Sequence, residues 1–372
     1  MSTIQTNAIV DASGGNTATV NGISPLANSA RFARNLIING GMQVAQRYGV
    51  ASPVTDWNGY YADRWYKRTN GSATSSVDTV ADAPSGFTNS YKSIISTAST
   101  NTSISVAQLI ESVNTTPLHY GLSSAKTVTV SFWAKASIAG TYCVAVQNPT
   151  TAIADDSTRS YLAEYTISAV NTWEYKTVII SGDTTGTWGV VSVRWQISKS
   201  TTTYQGVLGW QAGELRHTAN QTDQGATAGA TFQITGVQLE LGSVATDFEH
   251  RSYGEELALC QRYYQQFAYT ETYQTVGDGQ AGTTSSGYVL FRFLKEMRVP
   301  PTISNNGVGN FRVNSFAPGQ DQTCTSIAYT HVTRHGARIQ FGKATADFTM
   351  NQNIYINTQA SLDAYLYISA EL

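Results

Sequence analysis

Histidines, cysteines and carboxylates are where catalysis would have to begin, and their spacing offers it little. Of the five histidines, His119, His217, His250, His331 and His335, only the last two have ligand-like spacing. Their context, Tyr329-Thr330-His331-Val332-Thr333-Arg334-His335, reads as a strand. Residues i and i+4 of a strand share a face but lie roughly 13 Å apart, too far to bind one metal ion together. Among 25 acidic residues, none is singled out by spacing as the carboxylate pair that glycoside hydrolysis requires. Asp155-Asp156-Ser157 offers oxygen ligands for a structural Ca²⁺, although acidic turns of this kind more commonly just face solvent. The three cysteines, Cys143, Cys260 and Cys324, are odd in number and far apart, which excludes a disulfide framework and a metal knuckle. No nucleophile elbow, phosphate loop or dinucleotide fingerprint follows a strand. The expectation is a protein without catalysis and without a cofactor.

Aromatic side chains remain. Their faces stack on sugar C–H groups, and neighbouring Asn, Gln and Asp suit sugar hydroxyls. Trp57 and Tyr60 are candidates, as are Trp188 in a Gly-flanked turn and Trp210 beside Gly209. Trp133 and Trp195 sit inside alternating strand patterns and are expected to be structural. For any single Trp, core packing is a commoner role than ligand contact. All seven Trp lie between positions 57 and 210, so a glycan site is expected in that part of the chain or at its edges.

The elements that must hold these residues are strands. Charged residues make up 13% of the chain, about half the ~25% of ordinary soluble domains. Thr, Ser, Asn and Gln take their place, and these form strands and turns better than helix interiors. With 23 basic and 25 acidic residues the net charge is −2, which excludes a basic nucleic-acid binder and an acidic tail. No apolar run approaches the ~18 residues that cross a bilayer, and the N-terminus lacks the basic and apolar regions of a signal peptide. Folding in a reducing cytoplasm, without membrane insertion, is expected.

Residues 1–34 are small and polar and read as a leader that orders only against a partner. From 35 to 250, period-two alternation recurs in Val128/Val130/Phe132/Ala134, Ile104/Val106/Ile110 and Val191/Val193/Trp195/Ile197, with turn clusters between. Short strands in that number predict a jelly-roll β-sandwich. Phe232 and Ile234 are out of phase with Val237, Leu239 and Leu241, so Gly236 between them predicts a β-bulge. Ser252 and Glu255 form a capping box, and Tyr253, Leu257, Cys260 and Tyr264 make one stripe of an amphipathic helix. A connecting helix over 251–267 follows, with Cys260 a buried stripe residue. From 268 to 372 strands return as a smaller C-terminal β-domain. There Tyr288–Phe293 reads as buried on both faces, and the terminal run places Leu362, Ala364, Leu366, Ile368, Ala370 and Leu372 on one side. The fold class is all-β.

Three segments carry a resemblance: NLIINGGMQVAQR at 35–47, YYADRWY at 60–66, and GVQLELGSVATDFEHRSYGEELALCQRYYQ at 236–265. Together the set resembles tail-fibre and receptor-binding proteins of tailed bacteriophages, especially those carrying a carbohydrate-binding-like jelly-roll. The third is the most specific, departing only at Asp247, where the pattern would have proline. Residues 67–235, apart from Trp210, and the C-terminal part, apart from Glu296-Met297-Arg298 and Pro301-Thr302, are not matched. The resemblance implies that the opening segment and the GVQLE strand are neighbours, with Asp63-Arg64-Trp65 a structural corner in which Asp63 pairs with Arg64 or Arg251. It implies a homotrimer attached to other virion tail proteins through residues 1–34, with host cell-surface polysaccharide as its partner. A polysaccharide-degrading tailspike and a structural adaptor or head-decoration protein are the alternatives. The first lacks the long β-helix repeats that would announce it.

Overall fold

The computed structural model describes residues 34–49, 54–55, 58–149, 156–200, 203–315, 317, 320–359 and 363–372. The expected attachment segment, apart from Arg34, lies outside them, as do Trp57, Asp155 and Leu362. The chain divides into two compact units, Met1–Gln43 with Val50–Arg251, and Val44–Gly49 with Ser252–Leu372.

The first unit holds, in chain order, β1 (Val54–Thr55), β2 (Gly59–Tyr60), β3 (Tyr66–Asn70), β4 (Thr74–Val80), β5 (Ser90–Thr97), β6 (Ser103–Ile110) and β7 (Val128–Ala136). There follow β8 (Gly140–Gln147), β9 (Arg159–Ile167), β10 (Glu174–Ile180), β11 (Val191–Ser198), β12 (Gly209–Ala212) and β13 (Thr231–Leu241). They form a six-stranded sheet, β1-β4-β5-β13-β7-β10, and a seven-stranded sheet, β12-β9-β8-β11-β6-β3-β2. Every ladder is antiparallel. The alternating residues named above face inward: Val130, Phe132 and Ile234 of one sheet share a core with Val106, Val144, Val193 and Trp195 of the other. Phe132 and Trp195 meet edge-to-face across the sandwich with centroids 5.5 Å apart.

The motif residues act as scaffold. Asn35 Oδ1 accepts the amide protons of Ile37 and Leu239, and Asn35 Nδ2 donates to Val237 O, stitching the opening segment to β13. Trp65 is buried and donates from Nε1 to Asn39 O at 2.9 Å, while Arg64, also buried, donates to Leu109 O. Arg251 donates to the carbonyls of Asn35 and Ile37. At Gly236 the β13–β7 register shifts between Thr235 and Gln238, and φ is +61°. A Cβ there would stand 2.6 Å from Phe87 Cζ and 3.0 Å from Trp133 Cδ1. Gly236→Ala should therefore destabilise the first unit by about 2 kcal/mol, from left-handed backbone strain plus ring displacement; a urea midpoint equal to wild type would contradict this.

The seven-stranded sheet departs from simple alternation. The second face of the seven-stranded sheet, polar by sequence, is buried as well: Ser192, Arg194, Gln196 and Ser198 of β11 are all covered. Residues 214–222, which follow β12, supply its partners, Arg216 donating to Ser103 Oγ and Gln221 to Gln196 O. Arg194 donates to Gln147 Oε1 and Ser105 Oγ, Gln147 donates to Leu215 O, and Gln221 accepts from Cys143 N. Burial outweighs the hydrogen bonds of His217 and lowers its pKa, keeping this covered imidazole neutral. Buried polar groups demand partners of this kind, and this segment helps to supply them.

The second unit contains the helix Tyr253–Gln261, then β14 (Tyr264–Tyr269), β15 (Thr275–Ala281), β16 (Ser286–Arg292), β17 (Thr302–Asn305), β18 (Phe311–Ser315) and β19 (Gln322–Thr323). After them come β20 (Ser326–Thr330), β21 (Gly336–Gly342), β22 (Asn353–Thr358) and β23 (Ala364–Ser369). A three-stranded sheet, β14-β23-β17, and a seven-stranded sheet, β19-β18-β22-β15-β16-β21-β20, share a core that includes Leu366, Ile368, Val289 and Ile339. Both halves of the capping box form at Ser252 and Glu255. The helix is shorter than its stripe suggests, because Tyr264 opens β14 and Tyr253 is exposed; Cys260 is buried as expected. Two further expectations are corrected here. Tyr288–Phe293 is not buried on both faces: Val289 and Phe291 enter the core, but Leu290 is 80% exposed. His331–His335 is not a strand: it is the turn joining β20 to β21, with φ +51° at His331 and Thr333 N donating to Gly336 O. All three cysteines are free and buried. Among the described residues, no helix is long and apolar enough to cross a membrane.

Candidate carbohydrate-binding site

Trp188 and Trp210, 22 positions apart in sequence, come together at one edge of the first sandwich. Trp210 belongs to β12, the edge strand, and its register partner on β9 is Tyr161. Trp188 stands in the connection between β10 and β11, and Tyr120 follows the short 3-10 turn Thr116–Leu118. Ring centroids lie 5.4 Å apart for Trp188–Trp210, 4.8 Å for Tyr120–Trp188, 5.8 Å for Tyr120–Trp210 and 5.1 Å for Tyr161–Trp210. All four pairs are edge-to-face, the arrangement that aromatic quadrupoles favour. Tyr120 is buried; Tyr161, Trp188 and Trp210 are half-buried, leaving part of each ring to solvent.

A single turn fixes both indoles. Trp210 Nε1 donates to Ser181 O at 2.7 Å, and Trp188 Nε1 donates to Thr185 O at 2.9 Å. That turn is held to β9 through Asp183, whose carboxylate accepts from Arg159 Nε at 2.7 Å and Nη2 at 3.0 Å. Asp183 Oδ1 also accepts from the Thr185 amide and hydroxyl. The Arg159 guanidinium lies 6.0 Å from the Trp210 ring centroid, at the outer limit of a cation–π contact. Gly121, at φ +84°, lets the Tyr120 segment close on this turn, since a Cβ there would stand 2.7 Å from Gly186 O.

Burial alone would raise the Asp183 pKa, but the Arg159 guanidinium and the two Thr185 donors outweigh it and hold the carboxyl below its ordinary range. Burial, reinforced by Asp183 and Tyr161, pushes the Tyr120 hydroxyl far above the usual phenol value, so it stays protonated. Because the folded-state pKa of Asp183 is depressed, the unfolded chain binds more protons and stability rises with pH. The contribution is complete above the ordinary carboxylate pKa of ~3.9 and disappears as pH falls through the depressed value. Asp183→Asn should lower the melting temperature at about pH 6 and lose that difference near pH 2. An equal gap at both pH values would contradict the assignment.

The other candidates fall elsewhere. Tyr60 pairs edge-on with Tyr66 at 5.2 Å on β2 and β3, the opposite edge of the same sheet. Six strand spacings of about 4.8 Å, roughly 29 Å measured along the sheet, separate it from Trp210. Trp57 lies outside the described residues. Trp195 is wholly buried, and Trp133 packs on Tyr175 at 5.4 Å. Sequence reading missed Tyr120, Tyr161, Arg159 and Asp183; its only hint was the Gly-flanked turn at Trp188. Among the described residues, no three His, Cys, Asp or Glu side chains gather in a way that would hold a metal ion.

Fold and cluster define an all-β protein whose first unit is a jelly-roll-type sandwich with a tethered aromatic patch at one edge. No protein-family pattern matches the chain, and no curated protein matches it. Among solved structures, it is similar to the enzymatically active domain of tailspike protein 4 of bacteriophage CBA120, at 15% identity and a TM-score of 0.31. That match covers 59% of this chain and spans only 22% of the tailspike chain. It is also similar to the family 11 carbohydrate-binding module of Clostridium thermocellum, solved with a β-1,3-1,4-mixed-linked tetrasaccharide. There the identity is 13% and the TM-score 0.29, over 53% of this chain and 98% of that one. The CBM22-1 xylan-binding domain of Paenibacillus barcinonensis Xyn10C gives 12% identity, a TM-score of 0.28, and coverage of 57% and 96%.

Proposed function

We propose that this chain is a non-catalytic saccharide-binding protein of a phage virion, a tail fibre or receptor-binding protein that attaches to host cell-surface glycan. The observation that carries the binding reading is the half-buried Trp188–Trp210 pair, 5.4 Å apart with both indole N–H groups tied to one turn. Rings held in place before the ligand arrives lose little entropy on binding. Their C–H-binding faces and the uncharged polar surroundings suit neutral sugars. The virion reading rests on the three sequence segments at 35–47, 60–66 and 236–265, and with it come a homotrimer and attachment through residues 1–34. Three copies multiply weak sites by avidity, so no single site has to be tight. Asp183 is engaged by Arg159 and Thr185 and serves to hold the turn that carries both indoles.

The test passes the full chain over immobilised host polysaccharide and follows retention together with polysaccharide chain length. Retention with chain length unchanged is expected. Shortened chains would sink the non-catalytic reading in favour of a degrading tailspike. Protein that neither coats host cells nor blocks phage adsorption would favour a structural adaptor or head-decoration role. A monomer by light scattering at micromolar concentration would overturn the trimer.

A further inference from the structure

The corrected geometry of His331–His335 and Leu290 opens a second candidate site, in the second unit. A hollow of about 500 Å³ lies where β16 and β21 end beside the β20–β21 turn, lined by Leu290, Arg292, His331, Thr333, His335 and Arg338 among others. Its size is that of a pocket for a small ligand. No acidic residue lines it among the described residues. Register places Leu290 opposite Arg338 and Arg292 opposite Gly336. Glycine is required at position 336 because a Cβ would stand 2.3 Å from Phe291 O, so no side chain opposes Arg292 across the pair.

The two guanidinium groups are not neutralised by the protein. Neither Arg292 nor Arg338 has a carboxylate within ion-pair distance among the described residues, whereas neighbouring Arg334 is paired with Glu296 at 2.8 Å. Glu296 also lies 4.0 Å from His335 and is itself nearly half exposed, on the rim. Arg338 is held by an aromatic ring instead, its guanidinium carbon 4.0 Å from the Tyr288 centroid. Its Nε is buried with no hydrogen-bond partner. A charged donor left unsatisfied is costly. Leu290, 80% exposed in a strand whose neighbours fill the core, presents an apolar wall beside these donors.

We propose that this hollow binds the anionic group of an acidic saccharide, a carboxylate or a phosphate, with Arg338 and Arg292 as charge partners and Leu290 against the sugar ring. Planar guanidinium groups match both anions with paired hydrogen bonds. The two imidazoles add polar groups for hydroxyls, while the Thr333 hydroxyl is spent on holding the turn. The proposal rests on the saccharide-binding reading above but uses a different unit and a different chemistry.

The test titrates the full chain with galacturonate, galactose 6-phosphate and galactose, following ligand signals by NMR at millimolar concentration. One or both anionic sugars should bind and galactose should not compete, and the preferred anion identifies the group recognised. Arg292→Gln, at an exposed position, and Arg338→Gln should each weaken anion binding roughly ten- to a hundredfold. Binding should also weaken with added salt. Equal binding of galactose, failure of both anionic sugars, or unchanged affinity in the folded Arg292→Gln variant would overturn the proposal. Loss of anion binding with retention on neutral polysaccharide intact, or the reverse, separates failure here from failure of the first-unit site.

Discussion

Trp195→Ala is expected to destabilise the first unit by about 3–5 kcal/mol, the range for removing a fully enclosed large aromatic. Trp195 has no exposed surface and touches rings from two directions, Phe132 at 5.5 Å and Trp65 at 5.6 Å. Alanine would leave a void between two sheets whose backbones are fixed by ladders on both sides, so collapse around it is limited. Trp195→Phe is the informative companion. The buried indole N–H has no hydrogen-bond partner, so phenylalanine removes an unsatisfied donor while keeping most of the packing. Its cost should stay below about 2 kcal/mol. All seven Trp occur between 57 and 210, inside the first unit, so tryptophan fluorescence in urea follows that unit without interference from the other. Alanine and phenylalanine variants with the same midpoint would refute the packing argument.

The second large effect is on binding. Replacing Trp188 and Trp210 together by alanine should weaken saccharide affinity by about 2 kcal/mol or more, as for aromatic hot spots, a factor of roughly 30. Either single variant should lose a large part of this, because each ring is the edge or face partner of the other and of Tyr120. Tyr60→Ala, at the far edge of the sheet, serves as the control and should bind like wild type. Retention of the double variant equal to wild type, with its fold intact by circular dichroism, would remove the cluster from consideration. Asp183→Asn should fall between these extremes, since Asp183 positions the turn that holds both indoles without being an aromatic contact itself.

What could be read from the sequence was local or periodic. The capping box at Ser252 and Glu255 spans four residues and formed in both directions. The phase change at Gly236 announced a bulge because a strand whose apolar residues share one face tolerates no slip without one. Alternation correctly chose Val128, Val130, Phe132 and Ala134 for the core. It failed where a neighbour remote in sequence decides burial. Arg194 and Gln196 look solvent-facing, yet they are buried in a polar network that residues 214–222 help to complete. Leu290 looks interior until β16 is found with one side open. Strand geometry separated His331 from His335, whereas a turn carries both to the rim of one hollow. For the aromatic cluster, composition marked Trp188 and Trp210 individually, but their meeting depends on β12 pairing with β9 rather than with β11. No feature of one sequence encodes that strand order openly.

The buried thiols have a kinetic consequence. Burial raises the Cys143 pKa, despite hydrogen bonds from Thr218, and pushes Cys324 up to about 12. Both are thus shielded from a water-soluble alkylating reagent by access and by lack of thiolate. Modification then requires the chain to open, and its rate counts opening events. Cys143 belongs to one unit, Cys260 and Cys324 to the other. Mass spectrometry of timed alkylation would therefore give each unit its own clock, with no residue replaced.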